Sequence, residues 1–116
     1  MSIIELESSA VAARMFRGFA DPRRVALLRA LLDGERRVAD LVEQVGGSQS
    51  NVSGHLACLK GCGLVVDRPG PRRQVFYRLS GPEVRDLFVA AERLLAANGQ
   101  AIELCTNPMM DGCCDG

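Results

Sequence analysis

The chain has 116 residues, 47% of them hydrophobic and 24% charged, a composition typical of a single globular domain. It contains no run of 18 uncharged apolar residues and begins with no basic, apolar leader, so we expect neither a membrane span nor a secretion signal, and place the protein in the cytoplasm. The 14 basic and 14 acidic side chains cancel, which on its own argues against a nucleic-acid-binding protein.

The first two predicted helices are separated at Asp21-Pro22. Apolar residues recur at helical spacing between Leu6 and Ala20, which predicts the first helix over that range. Asp21 is a favourable N-cap and Pro22 a favourable first helical residue, so the second helix begins there and ends near Gly34. Its predicted core face consists of Val25, Leu28, Leu31 and Leu32.

The middle of the chain predicts a helix, a tight turn and a second helix. The range 38–45 has inward-facing apolar residues and is followed by Gly46-Gly47, a pair that permits the positive φ of a tight turn. Ser48 then caps a fourth helix that continues to about Gly61. Residues 38–61 are therefore predicted to form a helix-turn-helix.

The segment after this motif has the composition of β-strands and a turn. β-branched and aromatic residues in 64–66 and 74–79 predict two strands, and a turn rich in proline, glycine and arginine connects them over 68–73. A last helix is predicted over 82–97. The fold class is thus mainly α with a small β-hairpin, a winged helix-turn-helix, with a domain over 1–98 and a cysteine-containing tail over 99–116.

Charge is distributed unevenly along the chain. Residues 48–79 carry five basic side chains and one acidic side chain, a balance of +4, whereas 80–116 have a balance of −4. One flank of the fourth helix carries short or hydrogen-bonding side chains, which suit the major groove of DNA. We expect base-edge contacts from Gln49 and Ser53, phosphate contacts from Ser48, Ser50 and Lys60, and wing contacts from Arg72 and Arg73.

Two segments carry a family resemblance: Ala20-Asp21-Pro22-Arg23-Arg24, and the stretch from Ser50 to Val65 that contains Ser53-Gly54-His55-Leu56 and ends in Gly63-Leu64-Val65. They resemble the ArsR/SmtB family of bacterial metal-responsive repressors over roughly residues 10–97. The resemblance implies a winged-helix homodimer with the first and last helices at the interface. It also implies that the protein represses an operator in double-stranded DNA and releases it when an inducer binds.

Five cysteines without a secretion signal favour thiolate chemistry over a disulfide framework. Cys58 and Cys62 are four residues apart on the fourth helix, so their side chains lie one above the other and can chelate one ion. The segment from Cys58 to Cys62 resembles the cadmium- and lead-sensing CmtR branch of the family. That resemblance implies a third thiolate from the tail of the partner subunit, and Cys105 is the matching residue. Three thiolates favour cadmium, lead or trivalent arsenic.

The roles of three further residues stay open. Cys113 and Cys114 have no counterpart in the CmtR pattern; they form a second site, an entry ligand, or an arsenite-type thiol group with Cys105. His55 is either a packing residue or a neighbour of the metal site. The last helix lacks histidine, which argues against the zinc site that the family places there.

Other functions remain as alternatives. A thiol-redox sensor of the same fold would form a disulfide between Cys105 and Cys58 or Cys62. A metal-buffering protein would explain the cysteines but not the basic wing. The sequence shows no catalytic triad, acid–base pair or phosphate-binding glycine loop, so we expect no enzyme, no organic cofactor and no protein substrate.

Overall fold

The computed structural model describes residues 2–105, and the chain divides into two compact units, Met1–Ser80 and Gly81–Gly116. The first unit contains α1 (Ile3–Arg17), α2 (Pro22–Ala30), β1 (Arg36–Arg37), α3 (Val38–Val45), α4 (Gln49–Gly61), β2 (Val65–Pro69) and β3 (Val75–Leu79). The described part of the second unit contains α5 (Glu83–Ala97). Within residues 2–105 no helix has the length and apolar character needed to cross a membrane.

Side-chain caps set the starts of the first two helices. The Ser2 hydroxyl accepts the Glu5 amide, and the Glu5 carboxylate accepts the Ser2 amide, so α1 begins three residues before its predicted start. Asp21 Oδ1 accepts the amides of Arg23 at 2.8 Å and Arg24 at 3.3 Å, so α2 begins at Pro22 as predicted. α1 ends at Arg17 rather than Ala20.

The core of the first unit is aliphatic. It draws on α2, the turn after it, α3, α4 and the start of β2, through Leu27, Leu28, Leu31, Leu41, Val52, Leu56, Leu59, Leu64 and Val65, each at most 2% exposed. Val25, which we predicted to face the core, is only half-buried. In contrast, α1 has no buried residue, and five of its large apolar side chains are between 53% and 76% exposed: Ile3, Ile4, Leu6, Val11 and Phe16.

The predicted helix-turn-helix is confirmed. α3 has the predicted bounds, and Gly46 and Gly47 follow it with φ of 89° and 91°, a region that glycine enters without steric cost. The Ser48 hydroxyl accepts the amide of Asn51 at 3.1 Å and caps α4. Two glycines and one serine therefore determine where α4 begins relative to α3.

The predicted wing is also present, within a sheet of three antiparallel strands in the order β1-β3-β2. The sequence analysis missed β1, because a strand of two arginines shows no alternation of apolar and polar residues. β1 pairs Arg36 with Tyr77 and Arg37 with Phe76. By pairing with β3, strand β1 connects the chain just before α3 to the wing.

The tip of the wing is a type I′ turn with arginine at both central positions. The amide of Gln74 donates to the Pro71 carbonyl at 3.2 Å, and Arg72 and Arg73 between them have φ of 60° and 62°. Asparagine and glycine favour this turn, whereas other residues in the left-handed region cost about 1–2 kcal/mol each. The wing thus holds its two arginines in a strained backbone conformation.

An ion pair joins the part of the wing next to its turn to the chain before β1. Arg68 donates from Nε and Nη2 to the two carboxylate oxygens of Glu35, at 2.7 and 2.6 Å. Its guanidinium also lies over the Phe76 ring, with Cζ 4.5 Å from the centroid. The hydrogen bonds from Arg68 hold the pKa of Glu35 below its usual value.

We expect the stabilisation from this pair to depend on pH. Because the folded state lowers the pKa of Glu35, the pair stabilises the fold fully above the unfolded pKa of about 4.3, and loses its effect as pH falls through the lower folded value. Glu35→Gln should therefore lower Tm slightly at pH 7, and the difference from the original chain should shrink near pH 3. Thermal unfolding followed by circular dichroism measures both. Glu7→Gln is the control on exposed α1, and an equal Tm difference at both pH values would contradict the assignment.

Candidate functional site

A groove between α4 and the wing brings together several residues that the sequence analysis singled out. Its volume is about 260 Å³. Gln49 and Ser53 lie on the α4 side, and Arg73 lies on the wing side. The remaining lining residues are Arg37, Val38, Ala39, Gln74, Val75 and Tyr77. The groove combines hydrogen-bonding side chains with positive charge, the chemistry that reads and holds a DNA duplex.

The other predicted DNA-contacting residues are not part of the groove lining, and their side chains differ in exposure and in hydrogen-bond partners. Ser48 and Ser50 are exposed at the start of α4, where the Ser48 hydroxyl already caps the helix. Arg72 is exposed at the wing tip. Lys60 Nζ lies 3.1 Å from the Asp67 carboxylate and forms an ion pair with it. Lys60 would thus have to share its charge between Asp67 and a phosphate.

Two of the six further lining residues, Arg37 and Gln74, are candidate DNA contacts that the sequence analysis missed. Arg37, the N-cap of α3, donates to both carboxylate oxygens of Asp40, at 3.1 and 2.9 Å, and these bonds hold its guanidinium at the groove wall. Gln74 follows the two wing arginines directly. For Arg37, the signal in the sequence was its spacing of three residues from Asp40. For Gln74, the signal was its position directly after Arg73.

Cys58 and Cys62 form a thiol pair on α4. Both are free and half-buried, Cys58 within α4 and Cys62 at its C-cap, four residues apart along the chain. Burial raises the pKa of the Cys62 thiol, and Cys58 raises it further, while the positive charges of Arg24 and Arg17 act in the opposite direction. The pair therefore has the proximity that two ligands of one soft ion require.

Cys105 lies in the second unit and is 1% exposed. Its Sγ is 2.6 Å from Glu92 Oε1, and the Leu104 amide donates to Glu92 Oε2 at 3.0 Å. The Cys105 sulfur belongs to a disulfide here, so it would have to be reduced before it could ligate an ion. Cys113 and Cys114 lie outside the described residues.

Within residues 2–105 of one chain, no three His, Cys, Asp or Glu side chains are grouped so that they could hold a metal. The thiol pair supplies two ligands, and a third must come from elsewhere.

His55 is half-buried on α4. Burial opposes ionisation of Asp21, but the amides of Arg23 and Arg24, and then the charge of His55, lower its pKa. His55 is thus close to the start of α2.

Comparison with known proteins identifies the family. Residues 21–66 match the model of the arsR family of bacterial regulatory proteins. The chain is 45% identical over 94 residues to the "Probable mercury resistance operon repressor" of Streptomyces lividans, covering 81% of this chain and 74% of the relative. The chain belongs to the ArsR family. A second relative, the regulator CmtR of Mycobacterium bovis, is 40% identical over 119 residues, 90% of this chain and 98% of the relative.

Solved structures agree with this assignment. A homodimeric winged helix-turn-helix DNA-binding domain from Mycobacterium bovis matches with a TM-score of 0.72 and 31% identity, covering 85% of this chain and 90% of that one. The predicted winged helix-turn-helix is therefore confirmed, with one strand more than the hairpin we expected. The ArsR-family chain is a DNA-binding transcriptional regulator and not an enzyme.

Proposed function

We propose that this ArsR-family regulator is a homodimeric repressor that releases its operator when cysteine thiolates bind a thiophilic metal ion, cadmium or lead. One observation carries the proposal: α4 bears the groove residues Gln49 and Ser53 together with Cys58, and Cys62 is the C-cap residue of the same helix. A ligand that engages the pair acts on the same rigid helix that faces DNA. Since operator DNA is the target, we place the protein in the cytoplasm.

The DNA contacts divide into two kinds. Gln49 and Ser53 read base edges in the major groove, while Ser48, Ser50 and Lys60 contact phosphates. Arg72 and Arg73 extend from the wing to an adjacent minor groove or backbone. The strained turn supports this role, because a type I′ turn without arginine would be more stable but would lack the charge.

Variants of the two kinds should behave differently. Arg72→Asn combined with Arg73→Gly should raise stability by about 2 kcal/mol, weaken binding to all DNA sequences alike, and lower the salt-dependence slope by about two. Gln49→Ala should cost about 1–3 kcal/mol on the operator only and relax specificity at one base. Salt-dependent fluorescence anisotropy and thermal unfolding measure these changes, with Arg14→Gln on exposed α1 as the control. A wing variant with unchanged salt slope would contradict the wing contact.

The exposed apolar side chains of α1 are the structural support for the proposed dimer. Its five exposed apolar side chains leave a large apolar surface on the isolated chain, and a second copy is the partner that would bury it. A two-fold dimer also suits two operator half-sites. In such a dimer Cys105, from the predicted tail over 99–116, is supplied to the thiol pair of the other subunit. Cys113 and Cys114 are further thiols that the same tail offers.

Three thiolates favour soft ions, and this supports cadmium or lead as the inducer. Trivalent arsenic suits the same ligands and is the alternative inducer. Mercury belongs in the test as well, because one relative is named for a mercury resistance operon. Ligation would tie α4 to the tail of the partner and change its pose relative to the wing, which lowers the affinity for DNA.

The test is a titration of the reduced protein, bound to labelled DNA from its own promoter, with cadmium, and in parallel titrations with lead, trivalent arsenic and mercury. We expect about one ion per protomer to release the DNA, because the three thiolates make one site. Cys58→Ser, Cys62→Ser and Cys105→Ser should each bind DNA normally but fail to release it, while a Cys113→Ser/Cys114→Ser double variant is the comparison. DNA that stays bound at saturating cadmium would contradict metal-controlled repression.

Mixed dimers test whether the site is shared between subunits. Cys62→Ser and Cys105→Ser homodimers should each lack the thiolate-to-cadmium absorption band. A mixed dimer of the two has one complete site, formed by the pair of the Cys105→Ser subunit and Cys105 of the other. Equal mixing after dissociation should therefore restore roughly a quarter of the full signal. No recovery would contradict the intersubunit ligand.

The disulfide at Cys105 favours one second candidate, a thiol-redox-sensing repressor. Cys58 and Cys62 are both free, so the pairing with Cys105 that this alternative required is absent between the described cysteines of this chain. The two functions differ in their inducer: a redox sensor releases DNA on treatment with hydrogen peroxide and does not respond to cadmium under reducing conditions.

A further inference from the structure

Arg37 presents its guanidinium to the groove between α4 and the wing from a backbone that is held on two sides. As the second residue of β1 it pairs with Phe76 of β3, and as the N-cap of α3 its amide donates to the Asp40 carboxylate at 3.4 Å. Its side chain lines the groove and is 39% exposed, so a ligand in the groove can reach it. Arg73 adds a second guanidinium, and none of the described lining residues is acidic. The groove therefore attracts an anion.

Asp40 fixes the orientation of the Arg37 guanidinium. Nε and Nη2 of Arg37 donate to the two carboxylate oxygens of Asp40, at 3.1 and 2.9 Å. A guanidinium is planar with five N–H donors, so these bonds set its plane and leave two donors on Nη1 and one on Nη2. Within residues 2–105 these remaining donors have no hydrogen-bond partner. They include the Nη1–Nη2 edge, through which arginine binds a phosphate with two parallel hydrogen bonds.

The pair of Arg37 and Asp40 contributes little to the stability of the fold. The side chain of Asp40 is 36% exposed and that of Arg37 is 39% exposed, so water competes for both charges. The consequence of the pair is geometric, because a side chain that is already held in place loses less conformational freedom when it binds a ligand.

The position of Arg37 in the helix-turn-helix identifies the anion. In this motif the second helix enters the major groove, while the first helix crosses the DNA backbone. The second helix here is α4, which carries Gln49 and Ser53, and Arg37 lies at the start of the first helix, α3. The anion that Arg37 meets is therefore a phosphate of the DNA backbone.

We propose that Arg37 binds a phosphate of the operator through its Nη1–Nη2 edge, and that Asp40 is the positioning residue that orients this edge. The inference rests on the proposed function, since it takes Gln49 and Ser53 as the residues that enter the major groove. Because β1 pairs with β3, one sheet carries both Arg37 and the wing. The phosphate contact thereby fixes this sheet on the DNA backbone while α4 reads the bases.

The role of Asp40 predicts an effect opposite to that of its charge. Removing an acidic side chain close to DNA ordinarily strengthens binding, because repulsion of the phosphates is lost. We expect Asp40→Asn instead to weaken binding about threefold, because Arg37 loses its orientation. Glu43→Gln is the matched control: it makes the same change of charge at an exposed residue of α3 that forms no hydrogen bond to Arg37 in the described structure. This control should bind DNA as tightly as the original chain or slightly more tightly.

Variants of Arg37 test the phosphate contact itself. Arg37→Gln should weaken binding to the operator and to a random duplex of equal length alike, by about tenfold, and lower the salt-dependence slope by about one. Arg37→Lys keeps the charge without the planar fork, so it should lose less affinity and retain the slope. In the Arg37→Gln background, Asp40→Asn should no longer weaken binding. Salt-dependent fluorescence anisotropy of the reduced, metal-free, full-length protein measures these effects, and circular dichroism checks the fold of each variant.

The outcomes separate the failure of this inference from that of the proposed function. Asp40→Asn that binds DNA as tightly as Glu43→Gln would overturn the positioning role, and Arg37→Gln with an unchanged salt slope would overturn the phosphate contact. A loss confined to the operator would also overturn it, because that result indicates a base contact. If Gln49→Ala leaves operator binding unchanged as well, the proposed DNA contacts of α4 fail too. If Gln49→Ala weakens operator binding as expected, the failure concerns Arg37 alone.

Discussion

The burial of one side of α4 is the constraint on which the rest of the site depends. Val52, Leu56 and Leu59 are at most 1% exposed, and replacing one of these leucines with alanine in such a core typically costs about 2–5 kcal/mol. The buried stripe fixes the rotation of the helix about its axis. The flank with Gln49 and Ser53 consequently faces the groove, and the half-buried Cys58 and Cys62 lie on the opposite flank of the buried stripe.

The same constraint explains how a small domain can join two functions. Because a helix is rigid, a displacement caused by a ligand on one flank also moves the opposite flank. The ends of α4 are defined by the Ser48 cap at its start and by Gly63, whose φ is 78°, after its end. The basic residues of the wing are held separately, by the turn at Arg72 and Arg73 and by the pair of Arg68 with Glu35. A ligand that moves α4 therefore changes the position of α4 relative to the wing, because the wing is held by separate contacts.

Much of this architecture was predictable, because the signals are local. Asp21-Pro22, Gly46-Gly47 and Ser48 mark helix ends within a few residues, and the structure has those ends. β1 was not predictable, since a strand of two residues has no periodicity. The ion pair of Arg68 with Glu35 joins residues 33 apart, and the approach of Cys105 to Glu92 joins residues 13 apart; neither spacing has a local sequence signature. The sequence showed which residue types could contact DNA. It did not show that Lys60 forms an ion pair with Asp67.

The measurement that tests the central claim most directly is the affinity of the reduced protein for cadmium, with and without saturating operator DNA. If thiolates on α4 control DNA binding, linkage requires DNA to weaken cadmium binding by the factor by which cadmium weakens DNA binding. A coupling of about 3–4 kcal/mol, at the upper end of the usual range, predicts a difference of several hundredfold. Equal cadmium affinities for free and DNA-bound protein would contradict the account.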